Sequence, residues 1–398
     1  MAQLELLIFD SHPVQYRVPI WKAINKIAPN SIHVAYATIS SVNGYFDKGF
    51  NEKIAWDEPL LDGYSYTAME AVRGTPFSGW RSLTGKGVRA IIQQLQPKAI
   101  LLTGLNYQFD LIALVEARKA GIPISLRCEN QDNAFARAMW KDFLRSIYYR
   151  FIYRFIDRFY YIGQLNKQHY IRHGVKTDQL VAAHYFTVDR VAEFSTKDKI
   201  AYRAVTRANS DILDNNYVIG FSGKLIPKKN PDLLFRLLDH LPNKLRSEIV
   251  LYFMGSGELE PVLKKYAKQY SDQYGVRAVF TGFVNQSKIA HHYLAMDMFI
   301  LPSRRMGETW GLVVNEALQA GCPVITSNFV GCSEDFKSLE RFRIFEDNNA
   351  KDLAEKALEI IQYPRSFDWA RPVLEDYSLE ACVRQIVHTF SSKKVSKK

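Results

Sequence analysis

Residues 298–327 read MFILPSRRMGETWGLVVNEALQAGCPVITS, and the order of residue types in this stretch sets the fold. The apolar run Met298–Leu301 stops at Pro302 and Ser303, which predicts a short buried strand. A loop with Gly307 follows, Thr309 is placed to cap a helix, and that helix begins near Gly311. It ends at Gly321, and Pro323 opens a second strand. The backbone N–H groups of Gly311, Leu312 and Val313 then lie unpaired at a helix N-terminus. They carry a partial positive charge that suits a phosphate, and glycine at 311 allows close approach. Glu308 precedes the helix and Glu316 sits more than one turn inside it, so a carboxylate flanks the anion position on either side. A carboxylate is a poor phosphate ligand and a good acceptor for sugar hydroxyls. The segment therefore suits a phosphorylated compound with hydroxylated rings on both sides of the phosphate, such as a nucleotide sugar.

The same rhythm extends outward. Upstream strands are expected at 217–223, 248–255 and 277–283, with helices at Pro231–His240, Glu258–Tyr270, Ser287–Ala295 and Leu312–Ala320. Each strand ends in Gly, Ser or Pro, which puts loops at the carboxyl edge of a parallel sheet, where open α/β sheets bind ligands. In the first half, strands are expected at Leu4–Phe9, Ile32–Ala37, Ala99–Thr103 and in PISLRCEN, with helices at Val18–Ile27 and near Leu111–Ala120. Phe194–Asn216 is polar and poor in strand residues, which places a domain boundary near 195–215. The expected fold class is α/β: two facing, Rossmann-like, doubly wound parallel-sheet domains over 1–200 and 201–370. A helix at 371–390, with Ser378 as N-cap and Glu380 in the first turn, would pack back on the first domain, and 391–398 would form a basic tail.

Composition agrees with this division. A chain of 398 residues is long enough for two domains, and 47% hydrophobic residues exclude a disordered or fibrous protein. No run approaches the roughly 20 apolar residues that span a bilayer. MAQLELLIFD has no basic segment ahead of an apolar one, so no signal peptide is expected. Cys128, Cys322, Cys332 and Cys382 are scattered, which reads as reduced thiols of a cytoplasmic protein rather than a disulfide frame or a zinc site. The net charge of +11 leaves nucleic acid, membrane surface or an anionic small molecule open as partners until the cations are placed.

Three further segments carry chemistry. FSGKLIPKKNPDLLFRLL ends a strand at Gly223 and puts Lys224, Lys228 and Lys229 before a helix, where they suit a diphosphate and could neutralise a leaving group. Of the three, Lys228 reads as the exposed one. FMGSGELE has Gly255 and Gly257 after a strand, which alone signals little more than a tight turn. FTGFVNQSKI offers backbone groups at Phe283 and Val284 that could read a nucleobase edge.

With these residues in place, the second half resembles the nucleotide-sugar domain of the GT-B glycosyltransferases, specifically the retaining enzymes of glycosyltransferase family 4. The two glutamates with seven residues between them, Glu308 and Glu316, match that family's signature, and Lys224 with Lys229 matches its spaced basic pair. The family usually has Arg at the first of these positions; Lys keeps the charge and loses the bidentate fork. Gly331 and Glu334 in VGCSED resemble its glycine-then-glutamate loop, and the opening SHPVQYRVPIWKAI resembles a bacterial subgroup. The resemblance implies that Glu316 holds the ribose hydroxyls and Glu308 those of the donor sugar. Gly311–Val313 with Lys224 and Lys229 would bind the diphosphate, and the base would lie near Phe283 and Val284. It further implies transfer with retained configuration by front-face attack, without a metal ion or other cofactor, from a nucleotide sugar such as a UDP-sugar. The acceptor would be a glycan or a lipid-linked glycan.

The first domain departs from the common family pattern. The loop after its first strand is DSHPVQY, without glycine, and a later loop is RCENQDN. His12 and one of Glu129, Asn130 and Asp132 are the expected contacts to donor sugar or acceptor. Residues 134–161, AFARAMWKDFLRSIYYRFIYRFIDRFYY, place cations mostly four apart: Arg137, Lys141 and Arg145, then Arg150, Arg154 and Arg158. Read as a helix, they form polar stripes with aromatics between, a pattern for an anionic membrane surface at the cytoplasmic face or for packing on the chain's own domain. No nucleic-acid motif is present. Two alternatives to transfer remain in the sequence: other sugar-nucleotide chemistry, such as an epimerase or phosphorylase, and a catalytically silent binding protein at a membrane surface.

Overall fold

The computed structural model describes residues 4–42, 45–47, 52–54 and 59–391. The first domain is built on a seven-stranded parallel sheet in the order Ser65–Ala68, Ile32–Tyr36, Leu6–Asp10, Ala99–Leu102, Ile124–Leu126, Arg158–Tyr161, Leu180–Ala182. The second has a six-stranded parallel sheet in the order Arg277–Phe280, Ile249–Met254, Tyr217–Ser222, Met298–Leu301, Val324–Ser327, Phe342–Phe345. A short antiparallel ladder pairs Tyr45–Asp47 with Glu52–Ile54 outside both. In each large sheet the first strand lies between the second and the fourth, so the winding reverses at Leu6–Asp10 beside Ala99–Leu102 and at Tyr217–Ser222 beside Met298–Leu301. Such reversals open a crevice at the carboxyl ends of the strands.

The central strands are apolar along their whole length because helices cover both faces of each sheet. Ile249–Met254 is buried at every position, and so is Leu6–Asp10, with Asp10 its one charged member. Three elements lie where the sequence is unremarkable. Ser65–Ala68 has no fully buried residue and Arg158–Tyr161 and Phe342–Phe345 each bury only two aromatics, and all three are strands because a neighbour supplies the pairing. The polar stretch 194–216 is also more regular than its composition suggests. Thr196–Ala208 is a helix whose N-cap Ser195 accepts from the Asp198 amide at 3.2 Å, and it packs against Ile289–Ala295 of the second domain. Pro231–His240 divides into a helical turn, Leu233–Arg236, and a tighter turn, Leu237–His240.

The chain crosses to the second domain through 183–190 and returns at its end. Ser378 caps the helix Leu379–Ser391 by accepting from the Ala381 amide, and Cys382, Val383 and Ile386 pack on Val18, Trp21 and Ile24 of the helix Val18–Ile27. The basic tail expected at 391–398 lies, apart from the backbone of Ser391, outside the described residues. All four cysteines are buried thiols. No helix among the described residues is long and apolar enough to cross a membrane.

The stretch 134–161 is not one helix. It forms the helix Met139–Ile152, a turn at Tyr153–Phe155 and the strand Arg158–Tyr161. Its cations divide accordingly: Arg145 turns inward to Asp132, and Arg158 donates to the Thr389 carbonyl, while Lys141, Arg150 and Arg154 remain exposed. The aromatics divide as well: Tyr149 and Tyr153 pack on the first domain against His169, Phe159 and Tyr170, whereas a second set faces outward. Trp140 is 62% exposed, Phe143 65%, Ile147 51% and Phe151 57%, all on one side of the helix.

Candidate active site

The reversal in the second sheet gathers most of the expected donor residues around one cavity. Gly223 and Ser222 enter it from the end of Tyr217–Ser222, Phe283 and Val284 from the loop after Arg277–Phe280, and Leu312, Val313 and Glu316 from the helix Leu312–Gln319. The first domain closes its mouth with Gln15, Tyr16 and Pro19, and the crossing segment adds Thr187 and Arg190. Gly255 also lines it. A Cβ there would lie 2.0 Å from the Gly223 carbonyl oxygen, so this glycine permits a close passage of two strand-end loops rather than only a turn.

The helix N-terminus is built differently from its expectation. Gly311 is the N-cap, with φ at +98°, and no side chain caps the first turn. Thr309 does not cap. Its Oγ1 instead donates across the domain seam to Glu129 Oε2 at 3.2 Å. The first-turn amides therefore keep their donor capacity toward the cavity edge. Glu316 Oε2 accepts from the buried Tyr293 hydroxyl at 2.8 Å. Burial pushes its carboxyl up to about 7, while hydrogen bonds from Tyr293 and Gln286 oppose the rise.

Glu308 is buried and forms the other end of the site. Lys229 Nζ lies 2.5 Å from Glu308 Oε2, and Ser303 Oγ donates to the same oxygen at 3.0 Å. Burial works against its charge, but Lys229, Lys228 and the Ser303 bond outweigh it and hold the carboxyl below the usual range. Lys228 is not the exposed lysine. It is half-buried and donates to the Gly307 carbonyl at 2.9 Å, and burial lowers its pKa. Lys224 lies in the same loop, directly after Gly223. Gly331 is fixed by sterics, since a Cβ there would come within 1.8 Å of the Thr309 carbonyl oxygen, and Glu334 pairs with Lys337 at 2.6 Å.

A second hollow faces this end from the first domain, lined by His12, Arg17, Glu129, Asn130 and Arg137, with Thr309 from the second. His12 rests on Phe77 at 4.4 Å and bonds Ser11 Oγ at 3.0 Å. Burial and Arg17 push its pKa down to about 4, against the pull of Asp10, so it is neutral at pH 7. The buried ion pair of Asp10 with Arg17, at 2.7 and 2.9 Å, fixes the loop that carries it. Asp132 departs from expectation. Its carboxylate is held by His169 at 2.8 Å, Arg145 at 2.5 Å and Arg172 at 3.3 Å, which anchors the base of the exposed helix and does not serve the cleft. Asp132, His169 and His173 bring potential ligand atoms within 4.8 Å of one another. Both ring nitrogens of His169 are already bonded, to Asp132 and Tyr153, and two arginines lie on the carboxylate, so the cluster suits an ion pair better than a metal.

Glu129 takes the seam position instead. It accepts from Tyr16 at 3.1 Å, from Tyr185, and from Thr309. Its neighbour Gln131 donates to the Glu308 carbonyl at 3.4 Å, and the Gly307 amide donates to the Ala134 carbonyl at 2.7 Å. Gly307 has φ near +100°, and a Cβ there would lie 2.3 Å from the Phe135 ring. The loop carrying Glu308 is thus clasped to the first domain. Gln286 and Arg190 line the first hollow, Glu129 lines the second, and Tyr293 stands behind Glu316. Gln286 lies in FTGFVNQSKI and Glu129 in RCENQDN, whereas Tyr293 and Arg190 stand in no motif and only their three-dimensional neighbours assign them.

Two facing Rossmann-like domains with ligand hollows at their switch points have the GT-B architecture. Residues 203–368 match the family model for glycosyl transferases group 1. An uncharacterized glycosyltransferase of Methanocaldococcus jannaschii is 30% identical over 145 residues, 36% of this chain and 34% of that protein. The GDP-mannose-dependent monoacylated alpha-(1-6)-phosphatidylinositol monomannoside mannosyltransferase of Corynebacterium glutamicum is 26% identical over 182 residues, 44% of this chain and 45% of that protein. The chain therefore matches less than half the length of either relative. HepE of Anabaena, solved in complex with UDP and glucose, superposes with a TM-score of 0.65 at 16% identity, covering 98% of this chain and all of that one. At that identity the likeness concerns the fold.

Proposed function

We propose that the chain is a retaining glycosyltransferase of family 4. It would move a sugar from a nucleoside diphosphate sugar, with a UDP-sugar as first candidate, to a hydroxyl of a glycan or lipid-linked acceptor. The observation that carries this reading is the placement of Glu316, the 283–284 loop and the uncapped amides of 312–313 around one cavity, with the Glu308–Lys229 pair beside it. The ribose hydroxyls bond Glu316, the base lies against Phe283 and Val284, and the diphosphate meets the helix N-terminus with Lys224 and Lys229. Glu308, held ionised by its lysines, accepts from the donor sugar's hydroxyls.

The acceptor enters through the first-domain hollow, past His12 and Asn130. Its oxygen bonds the anomeric carbon on the face from which the bond to the diphosphate oxygen breaks. The acceptor proton passes to that departing oxygen, and the configuration is retained. The helix dipole and two lysines supply the charge that stabilises the leaving group, so no divalent ion is required. The exposed apolar face of Met139–Ile152, with Lys141, Arg150 and Arg154 beside it, supports a position on the surface of an anionic membrane and hence a lipid-linked acceptor. The M. jannaschii and C. glutamicum relatives are glycosyltransferases by name, which supports transfer over epimerisation.

The test is incubation with UDP-sugars and membrane-derived acceptors in EDTA. Glycoside product should form without added metal, Glu308→Gln should lower turnover, and Glu316→Ala should weaken nucleotide binding. Unchanged kinetics in both variants, or an epimerised donor as sole product, would reject the assignment.

A further inference from the structure

A hollow of about 700 Å³ opens between the carboxyl end of Met139–Ile152 and the turn that follows the helix Gln164–Arg172. Arg150, Arg154, Arg172 and Lys176 line it, with Asp178 as the single carboxylate. Arg172 is balanced by Asp142 at 2.8 Å, whereas Arg150, Arg154 and Lys176 form no ion pair with any described residue. The hollow adjoins the apolar stripe. Arg150 follows Ile147 by three residues and Arg154 follows Phe151 by three, so the cations flank the exposed apolar stripe at the carboxyl end of the helix.

We propose that this hollow binds the phosphate of an anionic bilayer lipid while the stripe Trp140–Phe143–Ile147–Phe151 lies among the acyl chains. The proposal rests on the membrane reading above and adds to it a defined headgroup site, apart from both hollows of the transfer site. A bilayer lipid presents its phosphate immediately above apolar chains, which is the arrangement the helix presents in reverse. A nucleic acid would instead need a continued track of cations with stacking rings between them, and here the next exposed cation along the helix, Lys141, stands more than two turns from Arg150.

The test is flotation of the full chain with vesicles of phosphatidylcholine alone and with a third of phosphatidylglycerol. Wild type should prefer the anionic vesicles. Arg150→Gln with Arg154→Gln should lower binding to them roughly 30-fold, about fivefold per cation removed, and change binding to phosphatidylcholine less than about twofold. Lys265→Gln with Lys268→Gln, two exposed cations on the second domain, should change neither. Trp140→Ser with Phe143→Ser should lose both kinds of vesicle, which tests the membrane reading separately. Retained anionic preference in R150Q/R154Q, or a loss no larger than in K265Q/K268Q, would overturn the headgroup site alone. Millimolar glycerol 3-phosphate should weaken wild-type binding to anionic vesicles and leave R150Q/R154Q unaffected; glycerol 3-phosphate that binds wild type and leaves its anionic preference unchanged would assign the hollow to soluble phosphates and also overturn it. Wild type that floats with neither vesicle would remove both readings.

Discussion

Replacing Glu316 tests the nucleotide end of the site with a magnitude that can be worked from its surroundings. A carboxylate offers about four lone-pair positions, and Tyr293 and Gln286 bond this one. Room for a pair of vicinal hydroxyls remains. Two hydrogen bonds to a charged acceptor, at about 1.5 kcal/mol each, contribute about 3 kcal/mol. Burial pushes the carboxyl up to about 7, so half the population is protonated at pH 7. Ionising it there costs about 0.4 kcal/mol, which leaves about 2.6 kcal/mol or roughly 80-fold in Kd. Calorimetry should therefore find UDP bound about 80-fold more weakly by Glu316→Ala, and 2′,3′-dideoxy-UDP weakened by a similar factor in wild type but within about threefold of UDP in the variant. The raised pKa fixes the sign of the pH effect, because protonation removes the acceptor. For UDP-glucose, affinity should fall about fivefold from pH 7 to 6 and rise about twofold from pH 7 to 8, and Glu316→Gln should flatten the profile. Undiminished discrimination between UDP and its dideoxy form in the alanine variant would refute the ribose assignment.

Three other outcomes follow from the packing. Gly311→Ala puts a Cβ 2.9 Å from Leu301 and 3.0 Å from Val330 at φ +98°, so the melting temperature should fall by roughly 5–10 °C with weakened donor binding. Arg17→Met leaves Asp10 buried without its partner and should destabilise by about 3–5 kcal/mol in denaturant titration, with part of the loss recovered by adding Asp10→Asn. Gly307→Ala should lower kcat while leaving UDP affinity within about threefold, because its Cβ would displace the Phe135 ring and the Glu308 loop but not the cavity around Glu316.

The second-domain half of the candidate site is legible in the sequence because its geometry is local. Strand ends, Gly311 and the spacing of Glu308 and Glu316 are fixed by one strand–loop–helix unit, and the same unit places Leu312 and Val313. Lys228, Thr309 and Asp132 are misread for the opposite reason. Each is decided by a distant partner: the Gly307 carbonyl, Glu129 of the other domain, and the Arg145–His169–Arg172 cluster. The strand Ser65–Ala68 is polar enough to be missed, and only pairing with Ile32–Tyr36 makes it one. The aromatics of Met139–Ile152 have helical spacing whether they face a core or the outside, so only the packed structure distinguishes the two.

The most direct test of the account follows the sugar itself. The chain should be incubated in EDTA with an α-configured, isotope-labelled UDP-sugar and membrane-derived acceptors, and the products read by NMR. The account predicts an α-glycoside formed in step with released UDP, abolished by Glu308→Gln together with Lys229→Met. A β-linked product, a sugar 1-phosphate, or an epimerised donor without transfer would contradict it.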